Sequence, residues 1–476
     1  MASSFFFYDL ETSGINPRSA QIMQFAGQRT DMDLNPVGEP FNFLIKLNQD
    51  IIPDPFAVLV TGITPQKTIQ DGISEAEFFK IFDTQINKHD TIFVGFNSVR
   101  FDDEFMRFGF YRNFYDPYEW QWKDGKSRWD ILDLSRITRA LRPNGIIWPF
   151  DSDGKPTNRL EYITKINKIS HDDAHDALAD VNATISLAKL IKTNAPKLFD
   201  YQLNLRSKAA VKKFAENNKT FLYVSGQYSS EHEKLAVVQN LGEHPGKKDA
   251  CLVYDLLVDP QPYLKMTAKE LAQTWQYKKD LEKSSRLPVK TMHFNRCPAI
   301  APLSVLGADD KKRLNIKEDT FEKNQTKIIN EKDFHKRVCE AIKILDSELE
   351  QPEMVIDTTN VDTKLYDGFI GDSDKKTSLQ LRQSPPEEIQ DFIKKFSDNR
   401  LKILTSLYKA RNFPKNLSAD ETQEWEKHKN VVYQQRLPDF IKQMEQAQIS
   451  AKTSKNDQYV LDELKMYVES LIPSDY

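Results

Sequence analysis

The sequence has few cysteines and lacks segments that would carry a chain into a membrane. Its three cysteines, Cys251, Cys297 and Cys339, are widely spaced, and none forms a CxxC pair. This usage argues against a disulfide framework or a cysteine zinc site and favours a reducing compartment. No apolar run reaches the roughly 18 residues of a membrane-spanning helix, and residues 1–9 lack the basic segment of a signal peptide. We therefore expect a cytoplasmic protein that does not interact with membranes.

A strong charge of either sign is also missing, because the formal net charge is −4 at pH 7. The distribution is uneven: residues 1–200 carry 22 Lys and Arg against 28 Asp and Glu, whereas residues 201–350 carry 26 against 21. An acidic first part and a basic middle suit a chain that holds cations in one part and meets an anionic partner with another. The length of 476 residues predicts two or three domains.

An acidic pair stands near the start of the chain, where Phe-Phe-Phe-Tyr-Asp-Leu-Glu occupies residues 5–11. Aromatic residues favour a strand, and alternate residues of a strand point to one face, so Asp9 and Glu11 should project together. Two buried like charges repel each other, and a shared Mg²⁺ or Mn²⁺ relieves the repulsion. The alternative is a strand end that carries two exposed acids.

A second acidic group follows the apolar segment 91–96, which predicts a buried strand. Asp102, Asp103 and Glu104 then occupy the start of a helix, where the helix dipole favours acids. Three acids exceed what a cap needs, and strand-to-helix junctions are where α/β proteins bind ligands. We prefer Asp102 as a metal ligand because it directly follows the junction, and Asp103 remains the competitor.

A third group lies near residue 180. Ala177, Val181 and Ile185 form a helical apolar stripe, and Asp180 stands at its edge. His175 lies five residues earlier, at the start of the helix or in the preceding loop, free to face a cleft. The rivals are Asp176, which also suits a helix cap, and His171 in place of His175.

Together these groups resemble the DEDDh 3′–5′ exonucleases, which have an RNase H-like fold. The matching elements are Asp-x-Glu on the first strand, Asn-x-x-x-Phe-Asp at 97–102 and His-x-x-x-x-Asp at 175–180. The resemblance extends to the bacterial exonuclease I family. It is carried by segments 58–66, 97–104, 110–118, 127–130, 140–145, 159–161, 174–180 and 408–414.

The resemblance implies three domains. An α/β RNase H-like exonuclease domain with a mixed sheet is expected over 1–198, and an SH3-like α+β domain over 199–350. A linker at 351–362 leads to an all-α C-terminal domain over 363–476. The two later domains would complete a clamp over the strand and make hydrolysis processive.

The implied reaction is metal-dependent hydrolysis of single-stranded DNA from the 3′ end, releasing 5′-mononucleotides, in DNA repair and recombination. Asp9, Glu11, Asp102 and Asp180 would hold two Mg²⁺ ions, for which Mn²⁺ can substitute. His175 would be the general base, because a histidine with an unperturbed pKa of about 6.5 can accept a proton from the attacking water near neutral pH.

Substrate-binding residues are expected in the same motifs. Arg112 and Arg128 are candidate phosphate ligands, and Glu11 is expected to contact the terminal nucleotide. The other members of the predicted set are Thr12, Thr61, Asn97, Arg100 and Arg159. A run of aromatic residues from Phe108 to Trp129 provides stacking surfaces for bases or, for at least half of its members, core.

The resemblance also implies a protein partner, the acidic C-terminal tail of the single-stranded-DNA-binding protein. Arg142, Tyr201 and Arg313 match the pocket for that tail, whereas His335 stands where the family pattern would place arginine. We expect a monomer that joins the nucleoid during repair. The alternatives are an RNA-trimming exonuclease on the same core and a non-catalytic nucleic-acid-binding protein on a dead nuclease fold.

Overall fold

The computed structural model describes residues 3–171, 176–275, 286–349, 361–451 and 454–472. Its strands are β1 (Ser4–Thr12), β2 (Ile22–Thr30), β3 (Phe41–Leu44), β4 (Thr91–Gly95), β5 (Ser127–Asp130), β6 (Thr220–Val224), β7 (Leu235–Glu243), β8 (Ala250–Asp255), β9 (Val289–His293) and β10 (Ala299–Pro302). Its helices are α1 (Pro55–Thr61), α2 (Pro65–Asp71), α3 (Glu75–Ile81), α4 (Asp102–Arg112), α5 (Ile131–Leu141), α6 (Leu160–Ile166), α7 (Ala177–Asn194), α8 (Pro196–Asn204), α9 (Lys208–Asn217), α10 (Ala268–Trp275), α11 (Ala308–Arg313), α12 (Glu318–Asn330), α13 (Phe334–Leu349), α14 (Asp372–Gln383), α15 (Asn399–Asn412), α16 (Ala419–Ser450) and α17 (Lys455–Leu471).

The described residues form two compact units. The first takes in those up to 127, those of 171–183 and those from 361 onward, and the second takes in 128–170 and 184–349. These units cut across the predicted domain boundaries, which remain predictions. Most of the predicted linker 351–362 lies outside the described residues, but Val361 is buried in a 3₁₀ turn, Val361–Asp367. No described helix is long and apolar enough to cross a membrane.

The strands of the first unit have the order β3-β2-β1-β4 in their sheet. β1 to β3 form the predicted antiparallel meander, and β4 runs parallel to β1, so the sheet is mixed. β1 is therefore a central strand. Glu11 stands opposite Gln24 of β2, and the pairing is irregular just after it, between Glu11 and Thr12.

Alternation along β1 separates its core residues from its acids. Phe6, Tyr8 and Leu10 belong to a buried cluster with Phe25 and Phe93. Asp9 and Glu11 occupy the alternate positions, which place them on the other face of the strand. The aromatic residues that made this stretch a predicted strand thus anchor it, and the acids extend from an immobile backbone.

The turn between α1 and α2 follows its sequence signals. Gly62 caps α1 with φ of 65°, a left-handed conformation that costs glycine little. Thr64 caps α2 by accepting from Lys67 N, and Pro65 stands at the first helical position. A threonine followed by proline predicts a helix start, and α2 begins there.

The C-terminal helices pack directly on the N-terminal half of the chain. Phe108 and Tyr111 of α4, and Phe114 just after it, share a buried cluster with residues of α14 and α15, such as Leu381 and Leu404. α16 and α17 cover a second cluster that includes Met23, Leu47, Val58, Phe440 and Leu464. The first unit therefore has a core built from both ends of the sequence.

A buried ion cluster joins the same two parts. Arg411 of α15 donates to both carboxylate oxygens of Asp50, with Nη2 to Oδ2 at 2.6 Å. It also donates to Asp362 at 2.6 and 3.0 Å. His428 Nε2 lies 3.1 Å from Asp50 Oδ2. The Arg411 and Asp50 side chains are only 4% and 2% exposed, so this is an interior network.

The second unit is organised on an antiparallel sheet of order β10-β6-β7-β8-β9. One face packs against α5, whose Ile137, Ala140 and Leu141 enter a cluster with Leu222 and Val224 of β6. The sequence predicts short strands that begin near 220, 250 and 289, and the structure has them as β6, β8 and β9.

The sequence predicts helices over 325–345, 419–432 and 437–446, and the structure corrects all three. A single helix over 325–345 is two, α12 and α13, because the chain turns at Glu331 (φ −97°, ψ 80°), and Phe334 then begins the buried face of α13. The helices predicted over 419–432 and 437–446 are one, α16, which continues through Pro438 as its buried stripe runs on to Ala447. α14 was missed, having little apolar periodicity.

Candidate active site

Three carboxylates converge beside the end of β1. Oxygens of Asp9, Glu11 and Asp180 all lie within 4.8 Å of one another. The first two come from one face of β1, and Asp180 comes from the first turn of α7. Residues separated by about 170 positions therefore meet as the sequence predicts.

The charge of Asp102 acts on this cluster, whereas Asp103 contacts Tyr8. Asp102 is the neighbouring charge with the largest effect on the pKa of Asp9, and it also raises that of Glu11. Asp103 instead accepts a hydrogen bond from the Tyr8 hydroxyl at 2.5 Å. Both are buried in the first turn of α4. Asp102 is thus close enough to raise the pKa of the clustered acids, and Asp103 has a partner in the core.

The carboxylates strongly perturb one another. Burial raises the pKa of Asp9 well above its ordinary value, and the charges of Asp102, Glu11 and Asp180 raise it further. Burial raises the pKa of Glu11 to about 9, with added contributions from Asp180, Asp102 and Asp176. So many acids in one buried place remain ionised together only beside a cation.

The donor set identifies the kind of cation that fits. All the converging atoms are carboxylate oxygens, which suit hard divalent ions such as Mg²⁺ or Mn²⁺. Glu11 is 8% exposed, whereas Asp9 and Asp180 are partly buried, so the group lies at the edge of the core. The residues present therefore fit a divalent-metal centre.

The start of α7 is fixed by Asp176, which the sequence left open between metal ligand and cap. Its Oδ1 accepts from the backbone N atoms of Leu178 and Ala179, each at 3.1 Å. Its Oδ2 accepts from Gln24 Nε2 at 3.2 Å. Asp176 therefore caps the helix that presents Asp180. The sequence analysis missed Gln24, whose signal is a polar residue among the apolar residues at 22–26 of β2.

Of the two candidate histidines, only His171 belongs to the described residues. His175, the predicted general base, lies outside the described residues. His171 is described, and its Nε2 hydrogen-bonds Asp180 Oδ1. The rival histidine therefore contacts one of the clustered acids.

The predicted substrate residues of the first unit have varied settings. Thr12 is buried and donates to Gly14 O at 2.9 Å. Asn97 follows β4 with a left-handed φ of 67°, and Arg100 is exposed two residues before α4. Thr61 ends α1, where its hydroxyl accepts from Ile63 N at 3.2 Å.

Arg112, a predicted phosphate ligand, lies in a buried ion pair. Its side chain is 5% exposed and pairs at 2.8 Å with Glu75, which is 2% exposed. A guanidinium enclosed in this way holds α4 to α3 and is not open to a phosphate. No local pattern signals this pairing, because Glu75 is 37 residues away.

In the second unit, Arg128 donates from Nη2 to Asn295 O at 2.7 Å. Arg159 is well exposed, its side chain being 70% accessible and 3.9 Å from Glu161. Arg159 is thus open to an anion, whereas Arg128 has one donor engaged.

The aromatic run is mostly core. The buried members are Phe108, Phe110, Tyr111, Phe114, Trp120 and Trp129. Trp122 is 63% exposed and open to stacking, whereas Tyr115 and Tyr118 are partly buried and Arg382 lies 3.5 Å over the Tyr115 ring. Six of the nine aromatic residues in this run are therefore core residues.

The three predicted partner residues belong to the second unit, and two of them, Arg142 and Arg313, lie beside Asp310. Arg313 Nη2 lies 3.0 Å from Asp310 Oδ1, and Arg142 Nη1 lies 3.7 Å from Asp310 Oδ2. The hydroxyl of Tyr201 is buried and finds no hydrogen-bond partner among the described residues, and burial raises its pKa to about 12. Two arginines thus share one carboxylate, Asp310.

A mixed sheet with acids clustered at its central strand defines a metal-dependent exonuclease domain, and the Exonuclease family model matches residues 6–188. The models of the exonuclease I SH3-like domain and the exonuclease I C-terminal domain match 206–342 and 359–471. The chain belongs to the exonuclease I family. The predicted family and fold class are confirmed.

Relatives agree along nearly the whole chain. It is 39% identical over 442 residues to exodeoxyribonuclease I of Haemophilus influenzae, covering 92% of each chain. It is also 39% identical over 442 residues to the Escherichia coli enzyme of that name, covering 92% of this chain and 91% of the other.

Solved structures of the family have the same fold. E. coli exonuclease I with a dA16 oligonucleotide matches with a TM-score of 0.92 at 36% identity, and a zinc-bound E. coli complex with single-stranded DNA with 0.92 at 35%. An exonuclease I complex with SSB-Ct matches with 0.91 at 35%. Each covers 99% of this chain and 100% of the other.

Proposed function

We propose that this protein is a processive exodeoxyribonuclease that degrades single-stranded DNA from the 3′ end to 5′-mononucleotides in DNA repair and recombination. The observation that carries the proposal is the convergence of Asp9, Glu11 and Asp180, with Asp102 beside them, in a chain that matches all three exonuclease I domain models. Relatives solved with single-stranded DNA support the substrate class.

Asp9, Glu11, Asp102 and Asp180 would hold two Mg²⁺ ions, for which Mn²⁺ is expected to substitute. When bound, such ions activate the attacking water and neutralise charge at the attacking and leaving oxygens. The chain supplies a site that is rigid before substrate arrives, since β1 is a central strand and Asp176 caps α7. His175 is assigned as the general base that takes the proton of the attacking water.

The strand would be gripped by residues outside the core. Glu11 and Thr12 lie beside the terminal nucleotide in this proposal, and Asn97, Thr61 and Arg100 extend the contacts. Arg128 and Arg159 are assigned to backbone phosphates. Arg112 is omitted, because it is engaged with Glu75.

The partner proposed is the acidic tail of the single-stranded-DNA-binding protein. Arg142 and Arg313 offer guanidinium groups that pair with a carboxylate, and Asp310 holds both until such a tail replaces it. The Tyr201 hydroxyl has no hydrogen-bond partner among the described residues and is assigned as a further donor to the tail. The complex of a relative with SSB-Ct supports this assignment. A monomer active in the cytoplasm and recruited to the nucleoid completes the proposal.

The deciding experiment follows 3′-labelled and 5′-labelled single strands of DNA and RNA, with Mg²⁺ or with EDTA. We expect 3′ label to leave DNA first as a mononucleotide, and EDTA to abolish the loss. Asp9→Ala and Asp180→Ala should stop hydrolysis while DNA binding persists. Glu39→Ala, at an exposed acid away from the cluster, is the matched control and should act at the normal rate.

Three results would contradict the proposal: release of label in EDTA, near-normal rates in either aspartate variant, or faster loss of RNA than of DNA. The last would transfer the assignment to an RNA-trimming enzyme. Binding of DNA without hydrolysis by the unmodified chain would indicate a non-catalytic binding protein.

A further inference from the structure

The loop that follows Glu11 has a fixed shape. Ser13 N donates to Gln21 O at 2.9 Å, and Gln21 N donates to Ser13 Oγ at 2.9 Å, so the two ends of the loop are tied together. Asn16 Oδ1 accepts from Arg18 N at 3.1 Å, a turn that fixes the backbone at Arg18. The Arg18 side chain therefore leaves the loop from a defined point, seven positions after a proposed metal ligand.

Arg18 lines a cavity of about 90 Å³ between this loop and α16. Ser19 lines it from the loop side, and Gln435 and Arg436 line it from the helix. A larger cavity of about 250 Å³ adjoins it, sharing Ser19 and Arg436 and reaching Ile15 at the loop tip. Two arginines from distant parts of the chain thus meet one small polar space.

The acids of this cavity are already engaged. Asp50 and Asp362 line it, but both are bound to Arg411, and Asp50 also contacts His428. Among the described residues, neither the Arg18 nor the Arg436 guanidinium has an ion-pair or hydrogen-bond partner. Asp439, in the adjoining cavity, forms no ion pair with Arg436. Two positive groups therefore remain without a counter-charge.

We propose that Arg18 and Arg436 bind a phosphate group of nucleic acid in this cavity. The space admits one phosphate group, and the adjoining cavity has room for part of the attached nucleoside. Guanidinium groups bind phosphate through paired N–H donors, which makes arginine the suitable ligand. The inference rests on the proposed function and adds a subsite to it. The phosphate belongs either to the strand or to the mononucleotide that is released.

Binding of a fluorescent dT20 strand to the Asp9→Ala chain tests the first source. Arg18→Gln with Arg436→Gln should raise the Kd about tenfold or more, as expected when hydrogen bonds to a charged group are removed. The slope of log Kd against log salt should fall by about 0.7 for each phosphate that the protein no longer neutralises. Inhibition by dTMP tests the second source, the released mononucleotide, in the enzyme that keeps Asp9. If this source is right, Arg18→Gln with Arg436→Gln should raise the dTMP inhibition constant about tenfold or more and leave the Kd for dT20 unchanged.

Lys442→Gln is the control, an exposed cation on α16 away from both cavities, and should change neither constant. Arg18 and Arg436 are exposed, so the Tm of the double variant should match the parent. If the double variant behaves as Lys442→Gln in both assays, the subsite does not exist. If the Asp9→Ala chain binds no DNA at all, the proposed function fails and the subsite falls with it.

Discussion

Replacing Arg411 by methionine should destabilise the protein severely. Arg411 makes five hydrogen bonds to Asp50 and Asp362, in a setting where its side chain is 4% exposed. Removing one partner of a buried ion pair costs about 3–5 kcal/mol, because the other charge is left unpaired. For a unit of this size we expect the Tm to fall by roughly 6–10 °C.

The same variant has a distinctive pH dependence. Burial by itself raises the pKa of Asp50, but Arg411 and the hydrogen bonds from His428 and Arg411 hold it well below its ordinary value. In the native protein this stabilisation is present above the unfolded pKa of about 3.9 and is lost only as the pH falls through the lower folded pKa. In Arg411→Met the unpaired Asp50 should take up a proton on mild acidification. The difference in Tm should therefore be larger at pH 7 than at pH 5.

Thermal unfolding followed by circular dichroism at both pH values measures these effects. Lys155→Met, which breaks an exposed pair with Asp153, is the control and should change the Tm by less than about 2 °C. Adding Asp50→Asn to Arg411→Met should restore part of the loss, because the unpaired charge disappears. An unchanged Tm, or an equal loss at pH 7 and pH 5, would refute the electrostatic reasoning.

Three further predictions concern other sites. His175→Ala should lower kcat by about 10²–10⁴-fold, the usual worth of a general base; a comparable loss in His171→Ala with normal rates in His175→Ala would exchange the two roles. Gly109→Ala should lower the Tm although alanine favours helix by about 1 kcal/mol, since its Cβ would lie 2.3 Å from Cζ of Phe79; a raised Tm would show that the ring gives way. Arg112→Gln should lower the Tm and leave the Kd for single-stranded DNA unchanged, and weaker DNA binding in a folded variant would return Arg112 to the substrate site.

The sequence predicted the elements whose pattern is local. The aromatic strand β1, the Thr64-Pro65 helix start and the strands of the second unit all have short-range signals, and all are present. The grouping of Asp9, Glu11 and Asp180 was predicted because each acid stands at an element end that the fold brings to one place. Their roles, and that of His175, remain proposals.

The features that the sequence did not decide depend on contacts with residues far away in the chain. Asp102 and Asp103 are adjacent in one helical turn, and what separates them is Tyr8, 95 residues from Asp103. In the sequence Arg112 cannot be told apart from an arginine that binds phosphate. Only the folded chain shows that Glu75 is its partner. The course of α16 through Pro438 likewise depends on the apolar surface of α1 and β2 that it covers. No local pattern carries that information.

The ion cluster around Arg411 can form only late in the synthesis of the chain. Asp50 and Arg411 are 361 residues apart in the chain. At a translation rate of about 5–20 residues per second, Asp50 waits roughly 20–70 s for its partner to be made. During that time the apolar surface around Met23 and Val58 lacks the helices that cover it. The catalytic half of the chain therefore completes its core last, and a ribosome that stalls before α15 leaves an exposed acid and an exposed apolar surface for chaperones and proteases to recognise.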